Sequence, residues 1–174
     1  AGTGTYSTKD SIELSKQAED MGVHAVMIVT PYYSKPSQKG IYEHFKSISD
    51  ATNIPIIAYN IPGRTSRLIE VETLVEIVKD TNVFAIKDAV SDIKFTRLEI
   101  ETFSNLSKEL DATIYSGDDK LTLEMMKLGA RGVISVASHV VGREIRLFID
   151  AYKNGLVGVA ENINNELRLL YDLI

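Results

Sequence analysis

Lys87 closes an apolar run, Val83-Phe84-Ala85-Ile86. A lysine at the end of a buried strand keeps its stem among apolar neighbours. Desolvation lowers its pKa and exposes a neutral amine nucleophile. Such an amine condenses with a ketone to an iminium, an electron sink for making or breaking carbon–carbon bonds. A strand-end lysine also reads more plainly as one that reaches solvent. Tyr59 ends the preceding apolar run, where its phenol can donate or accept a proton beside a carbonyl; a buried tyrosine with a satisfied hydroxyl is the plainer alternative. Tyr32-Tyr33 follows Thr30-Pro31 at another strand end, so that one ring can pack and the other point inward. Arg64 lies in a Pro-Gly-Arg-Thr loop just past Tyr59, suited to bidentate capture of a carboxylate or simply to solvation. Asp88, Asp92, Asp118 and Asp119 offer a rival chemistry, a magnesium site at the same strand ends, although Asp118-Asp119 reads equally as a helix cap. His24, His44 and His139 are too scattered for a ligand set, Gly2-Thr3-Gly4 is too short for a phosphate loop, and Met125-Met126 reads as core filler.

The elements that must carry these residues alternate. Apolar, β-branched runs at Val23–Thr30, Ile54–Asn60, Val83–Lys87, Ala112–Ser116 and Gly132–Val136 have the near-continuous character of strands buried on both faces. Between them lie amphipathic stretches: from near Thr8 to Gly22, Gln38–Thr52, about Glu70–Lys79, within Lys94–Leu110, and Asp119–Leu128. Two more follow, near Gly142–Lys153 and Gly158–Leu173. Strand starts recur at steps of roughly 30 residues, the size of a βα unit, so the sheet should be parallel with right-handed crossovers. A doubly wound sheet gathers its polar residues at one switch point. Here they fall at the C-terminal ends of several successive strands, the pattern of a barrel's active face. The expected fold is α/β, a (β/α)₈ TIM barrel present in part, with about five parallel strands over 1–155 and the start of a C-terminal helical tail over 156–174. The chain opens in what reads as a βα loop with no strand before it.

Composition narrows the function. The 174 residues carry a formal net charge of −5 with both signs interspersed, which disfavours nucleic acid as a partner. The absence of cysteine excludes disulfide, thiolate and zinc-thiolate chemistry and is compatible with a cytoplasmic location. No apolar run approaches the ~20 residues of a membrane span, and the first ten residues lack the pattern of a signal peptide.

Taken together, AGTG at 1–4, VTPYYSKPSQKG at 29–40, YNIPGRT at 59–65, AIKDA at 85–89, SGDD at 116–119 and GVISV at 132–136 resemble the dihydrodipicolinate synthase branch of the pyruvate-dependent aldolases, the superfamily that includes N-acetylneuraminate lyase. The resemblance covers essentially the whole chain, in the family's order. It implies that Lys87 forms a Schiff base with pyruvate, with no other cofactor. It implies that Tyr59 is the adjacent proton donor or acceptor, that Tyr33 is the proton-relay tyrosine, and that Arg64 binds the carboxylate of aspartate 4-semialdehyde. The backbone of Ile134 would help position pyruvate. The product would enter diaminopimelate and lysine synthesis. The family is often tetrameric, its relay tyrosine crossing a dimer interface, so a homo-oligomer is the expected partner state.

Two substitutions depart from the family's pattern. Asp88 stands where many members carry Glu, and Tyr6 where lysine-inhibited members often carry Asn, which puts lysine inhibition in question. The family's Thr-Thr-Gly-Glu segment, with a pyruvate-binding and a relay threonine, is not among these residues. The expectation is a piece lacking about three N-terminal units, weak or inactive in isolation. Rival readings are another Schiff-base aldolase acting on sialic acid or a keto-deoxy sugar acid, and a non-catalytic barrel segment.

Overall fold

The computed structural model describes residues 1–107, 109–110 and 112–173. Position 108, in the expected fourth helix, and position 174, in the expected tail, lie outside the described residues, as does 111. Four strands, β1 (Val26–Val29), β2 (Ile56–Asn60), β3 (Val83–Asp88) and β4 (Thr113–Ser116), form one sheet in the order β1-β2-β3-β4. Every neighbouring pair is parallel. Sequence order and spatial order coincide with no reversal, so there is no switch point; the sheet is an arc of a (β/α) barrel.

Both edges of the arc continue past the named strands. The fifth expected run makes one parallel bridge, Ser116 to Val133, supported by Ser116 N–H donating to the Gly132 carbonyl at 2.9 Å and Ile134 N–H to the Ser116 carbonyl at 2.9 Å. At the other edge Gly2 bridges Met27 in parallel. The opening residues therefore lie along β1, where the sequence suggested a loop. That position is invisible in the sequence because a single bridge leaves no apolar run.

The helices are α1 (Thr8–Asp20), α2 (Gln38–Ala51), α3 (Pro62–Thr65), α4 (Val71–Asp80), α5 (Ile93–Asn105), α6 (Thr122–Leu128), α7 (Ser138–Lys153) and α8 (Val157–Tyr171). Side-chain caps fix three starts: Ser7 accepts from Asp10 N–H, Ser37 from Gly40 N–H, and Asp92 from Lys94 N–H. Gly129, with φ +128°, ends α6. Two starts differ from the sequence reading. Helix α6 begins at Thr122 instead of Asp119, because the Asp118 carboxylate holds the amides of Lys120 and Leu121 in the preceding turn. Helix α7 begins at Ser138, four residues before Gly142, and continues through a kink at Val141.

The sheet has two distinct faces. One carries Val26, Ile28, Ile56, Ala58, Ile86 and Ile114, all buried against helix residues such as Ile41, Phe45, Leu74 and Ile77. Burial of this layer is the main stabilising term of the arc. The opposite face, the barrel's inner wall, is arranged in two rows by the strand register. Met27, Ile57, Ala85 and Thr113 form the lower row, and Val29, Tyr59, Lys87 and Tyr115 the upper. A second core of Leu123, Met126, Ala137, Ile145, Phe148, Ala160, Leu167 and Tyr171 joins α6, α7 and α8. No helix among the described residues is long and apolar enough to cross a membrane.

Candidate active site

The upper row carries Lys87 between two tyrosines, Tyr59 on β2 and Tyr115 on β4. Lys87 is only 6% exposed. Its Nζ lies 4.0 Å from the centroid of the Tyr59 ring. Burial pulls its pKa below the ordinary lysine value, and the Asp119 carboxylate opposes that pull. The neutral amine is thus more accessible than on a solvated lysine. Burial also raises the Tyr59 phenol, while the nearby Arg64 guanidinium lowers it. Tyr59 therefore holds its proton at neutral pH and is equipped to donate it.

The lysine stem fits because residue 117 is glycine. A Cβ there would sit 2.8 Å from Ala89 Cβ and 3.0 Å from Lys87 Cε. The end of β3 is fixed from behind. Asp88, 1% exposed, accepts from Val90 N–H at 2.8 Å and from the Thr96 hydroxyl of α5 at 2.5 Å. Its own carbonyl accepts from Gly117 N–H at 2.6 Å.

Arg64 sits on α3, a single turn between β2 and α4. The loop carrying it is closed by one side chain. Asn60, fully buried at the end of β2, donates to the Ile69 carbonyl and accepts from Ile69 N–H, both at 3.0 Å. Within the loop the Thr65 hydroxyl donates to the carbonyls of Ile61 and Arg67. Arg64 and Tyr59 border two cavities. One, about 460 Å³, opens toward β1 and includes Tyr32. The other, about 540 Å³, opens toward the β4–α6 loop and includes Asp118, Asp119 and Tyr171.

Tyr59, Lys87 and Arg64 thus converge at the strand ends, as their sequence positions suggested. Ile134 lies at the adjoining edge, half-buried, with its N–H bonded to the Ser116 carbonyl. Tyr33 stands apart. It is 93% exposed, with φ +70°, a conformation uncommon for a bulky residue. It is Tyr32 that lines the cavity, edge-on to Tyr6 with ring centroids 5.8 Å apart. The aspartates of the magnesium alternative are engaged elsewhere: Asp88 and Asp118 as above, Asp92 with Lys94 N–H, and Asp119 with the amides of Val136 and Ala137. Among the described residues no three His, Cys, Asp or Glu side chains gather so as to hold a metal ion.

Sequence reasoning missed the contacts of Gly117, Asn60 and Asp119. Gly117 and Asp119 lie inside the SGDD run, which marked the place and not the contacts.

The dihydrodipicolinate synthetase family profile matches residues 1–174. The 4-hydroxy-tetrahydrodipicolinate synthase of Bacillus subtilis strain 168 is 47% identical over 169 residues, covering 96% of this chain and 56% of the relative. The crystal structure of dihydrodipicolinate synthase from Thermotoga maritima superposes with a TM-score of 0.93 at 36% identity, covering 98% of this chain and 58% of that one. The enzyme from Acinetobacter baumannii, complexed with pyruvate, gives 0.90 at 37% identity over 99% of this chain and 57% of its own. The chain spans a little over half the length of these relatives. With its sheet order, its strand-end lysine and this match along its whole length, the chain belongs to the dihydrodipicolinate synthetase family.

Proposed function

We propose that Lys87 condenses with pyruvate to form a Schiff base, and that the protein to which these residues belong joins that pyruvate unit to aspartate 4-semialdehyde. The single observation that carries the reading is the buried Lys87 amine against the Tyr59 ring at 4.0 Å. The neutral amine adds to the ketone carbon of pyruvate, giving a carbinolamine. Protonation of its hydroxyl, with Tyr59 as donor, releases water and leaves an iminium. The Tyr59 phenolate takes a proton from the pyruvate methyl to give an enamine, which attacks the aldehyde carbon of the second substrate; the aldehyde oxygen takes that proton back, and water adds to the resulting iminium to release the keto acid and the Lys87 amine. The iminium is the electron sink, so no separate cofactor is invoked. Arg64, at the border of both cavities, offers a fork for the second substrate's carboxylate. The Ile134 backbone, held beside β4 by its bond to Ser116, would help position pyruvate.

Tyr33 is assigned to a neighbouring copy's site. Its near-complete exposure and strained φ support a role across a homo-oligomer interface, in which it would relay protons. Because the relatives are nearly twice as long as the matched stretch, the complete condensation is a proposal for the whole protein, and Schiff-base formation is the part testable on these residues.

The test is borohydride reduction in the presence of pyruvate. The expected outcome is a reduced pyruvate adduct mapped by mass spectrometry to Lys87 and lost in Lys87→Ala. A folded chain that forms no adduct on Lys87 overturns the proposal. The sialic-acid and keto-deoxy sugar acid aldolases would form the same adduct, so substrate choice is read separately, by turnover of aspartate 4-semialdehyde against those compounds in the whole protein.

A further inference from the structure

Asp119 follows Gly117 by two residues in the β4–α6 loop, and its two carboxylate oxygens have different surroundings. Oδ2 accepts from Val136 N–H and from Ala137 N–H, each at 3.0 Å. These amides lie 17 and 18 residues along the chain, at the end of the GVISV segment. Oδ1 is buried and has no hydrogen-bond partner. A buried carboxylate oxygen left unpaired costs stability, so its retention calls for an explanation.

The cavity bordered by Asp119 supplies one. Its lining includes Tyr59, Arg64, Val136 and Tyr171. Lys87 and Asp119 are near enough that the carboxylate favours the ammonium form of the amine. The same charge, added to burial, pushes the Tyr171 phenol up to about 12. The charged or titratable groups around the pair are Tyr59 from β2, Arg64 from α3, Tyr115 from β4, Asp118 and Lys120 in the loop itself, and Tyr171 from α8.

We infer that Asp119 is a positioning residue for the chemistry at Lys87: one oxygen pins the 132–136 segment at its end, and the carboxylate stands as a fixed negative charge at the cavity it borders together with Tyr59, the ring against which the Lys87 amine rests. The inference rests on the proposed Schiff-base role of Lys87 for its functional meaning. The pinned segment includes Ile134, so the same carboxylate opposes the effect of burial on the lysine's charge and holds the wall against which the keto acid would rest. A fixed negative charge also favours the iminium once formed, since the iminium carries the positive charge of the ammonium it replaces.

The test measures the lysine without pyruvate. Trace acetic anhydride labels neutral amines, and peptide mass spectrometry gives the labelling of Lys87 as a function of pH. In Asp119→Asn the Lys87 profile moves to lower pH, because the charge that favours ammonium is gone. In Asp119→Glu, which keeps the charge, the profile stays with the wild type. A purely structural role would lower the folded fraction in both variants and leave the midpoint of the folded protein where it was. A wild-type profile in folded Asp119→Asn overturns the inference, as does a glutamate variant displaced to lower pH like the asparagine one. If Asp119→Asn does not fold by circular dichroism, Asp119→Ser, which also removes the charge, takes its place, with the same outcomes. Failure of pyruvate trapping in the wild type would overturn the Schiff-base proposal and leave this labelling result readable.

Discussion

The amine of Lys87 lies where it does because Gly117 leaves room for its stem and the Tyr59 ring backs its Nζ. Gly117 is the sharpest constraint: a methyl at that position meets Ala89 Cβ and the lysine stem together. The lysine stem can yield by rotation, but Ala89 Cβ moves only with its backbone, so the strand end must shift as well. Gly117→Ala is therefore expected to displace Nζ from the Tyr59 ring. A displacement of about 1 Å costs on the order of a hundredfold in rate, and the crowding costs about 1–3 kcal/mol of stability. The rate of adduct formation with pyruvate under borohydride checks the first, and a urea midpoint the second. A variant that traps pyruvate at the wild-type rate would mean that the stem has slack the structure does not show. The sequence made the identity of Lys87, Tyr59 and Arg64 legible because each ends or follows an apolar run. It did not reveal the role of Gly117, whose meaning lies in a contact between two different strand ends.

At the scale of elements, the βα loops set which side chains face the mouth. The loop over 61–69 shows how. Asn60 is bonded twice to Ile69, so both ends of the loop are tied to the end of β2. Asn60→Ala leaves the Ile69 N–H and carbonyl without this partner, at a cost of about 2–4 kcal/mol. Hydrogen exchange over 61–69 should quicken while β3 stays protected, and Lys87 should still trap pyruvate; loss of trapping would show that the loop also holds the lysine. The alternation of strands and helices was legible because parallel strands are apolar on both faces and helices keep a 3.6-residue period. The helix starts were less so. The sequence reading began α6 at Asp119, whereas Asp118 holds back the turn and Asp119 reaches across to Val136. Local sequence does not distinguish an aspartate that caps its own helix from one that bonds a distant loop.

Across the whole molecule, stability and pH are linked through buried groups on the helices. His44, on α2, is 2% exposed; its Nδ1 bonds the Thr8 hydroxyl and its Nε2 has no partner. Burial lowers its pKa to about 4. A histidine whose folded pKa lies below the unfolded 6.5 binds its proton more weakly when folded. Its contribution is fully present above pH ~6.5 and is lost as the pH falls toward about 4, by roughly 3 kcal/mol in all. Glu99, fully buried on α5 and raised well above the usual carboxylate range by burial and by Asp88, has the opposite sign, its penalty growing as pH rises. The difference in unfolding free energy between wild type and His44→Gln isolates the histidine. It should change across pH 6.5 to 4 and be flat above; a difference flat throughout would mean that folding leaves the His44 pKa unchanged. Neither group was legible in the sequence as a stability determinant, because burial of a lone His or Glu depends on helix packing.

The inner wall's two rows have a consequence for the charge on Lys87. The row beneath Lys87 consists of Met27, Ile57, Ala85 and Thr113, and none of these side chains titrates. Three of the four are apolar and the fourth is a neutral hydroxyl, so on this wall the groups that can change charge beside the amine stand above it, at the rim, with Tyr59 and Asp119. Among the described residues, the lysine's charge is tuned from one end of the sheet.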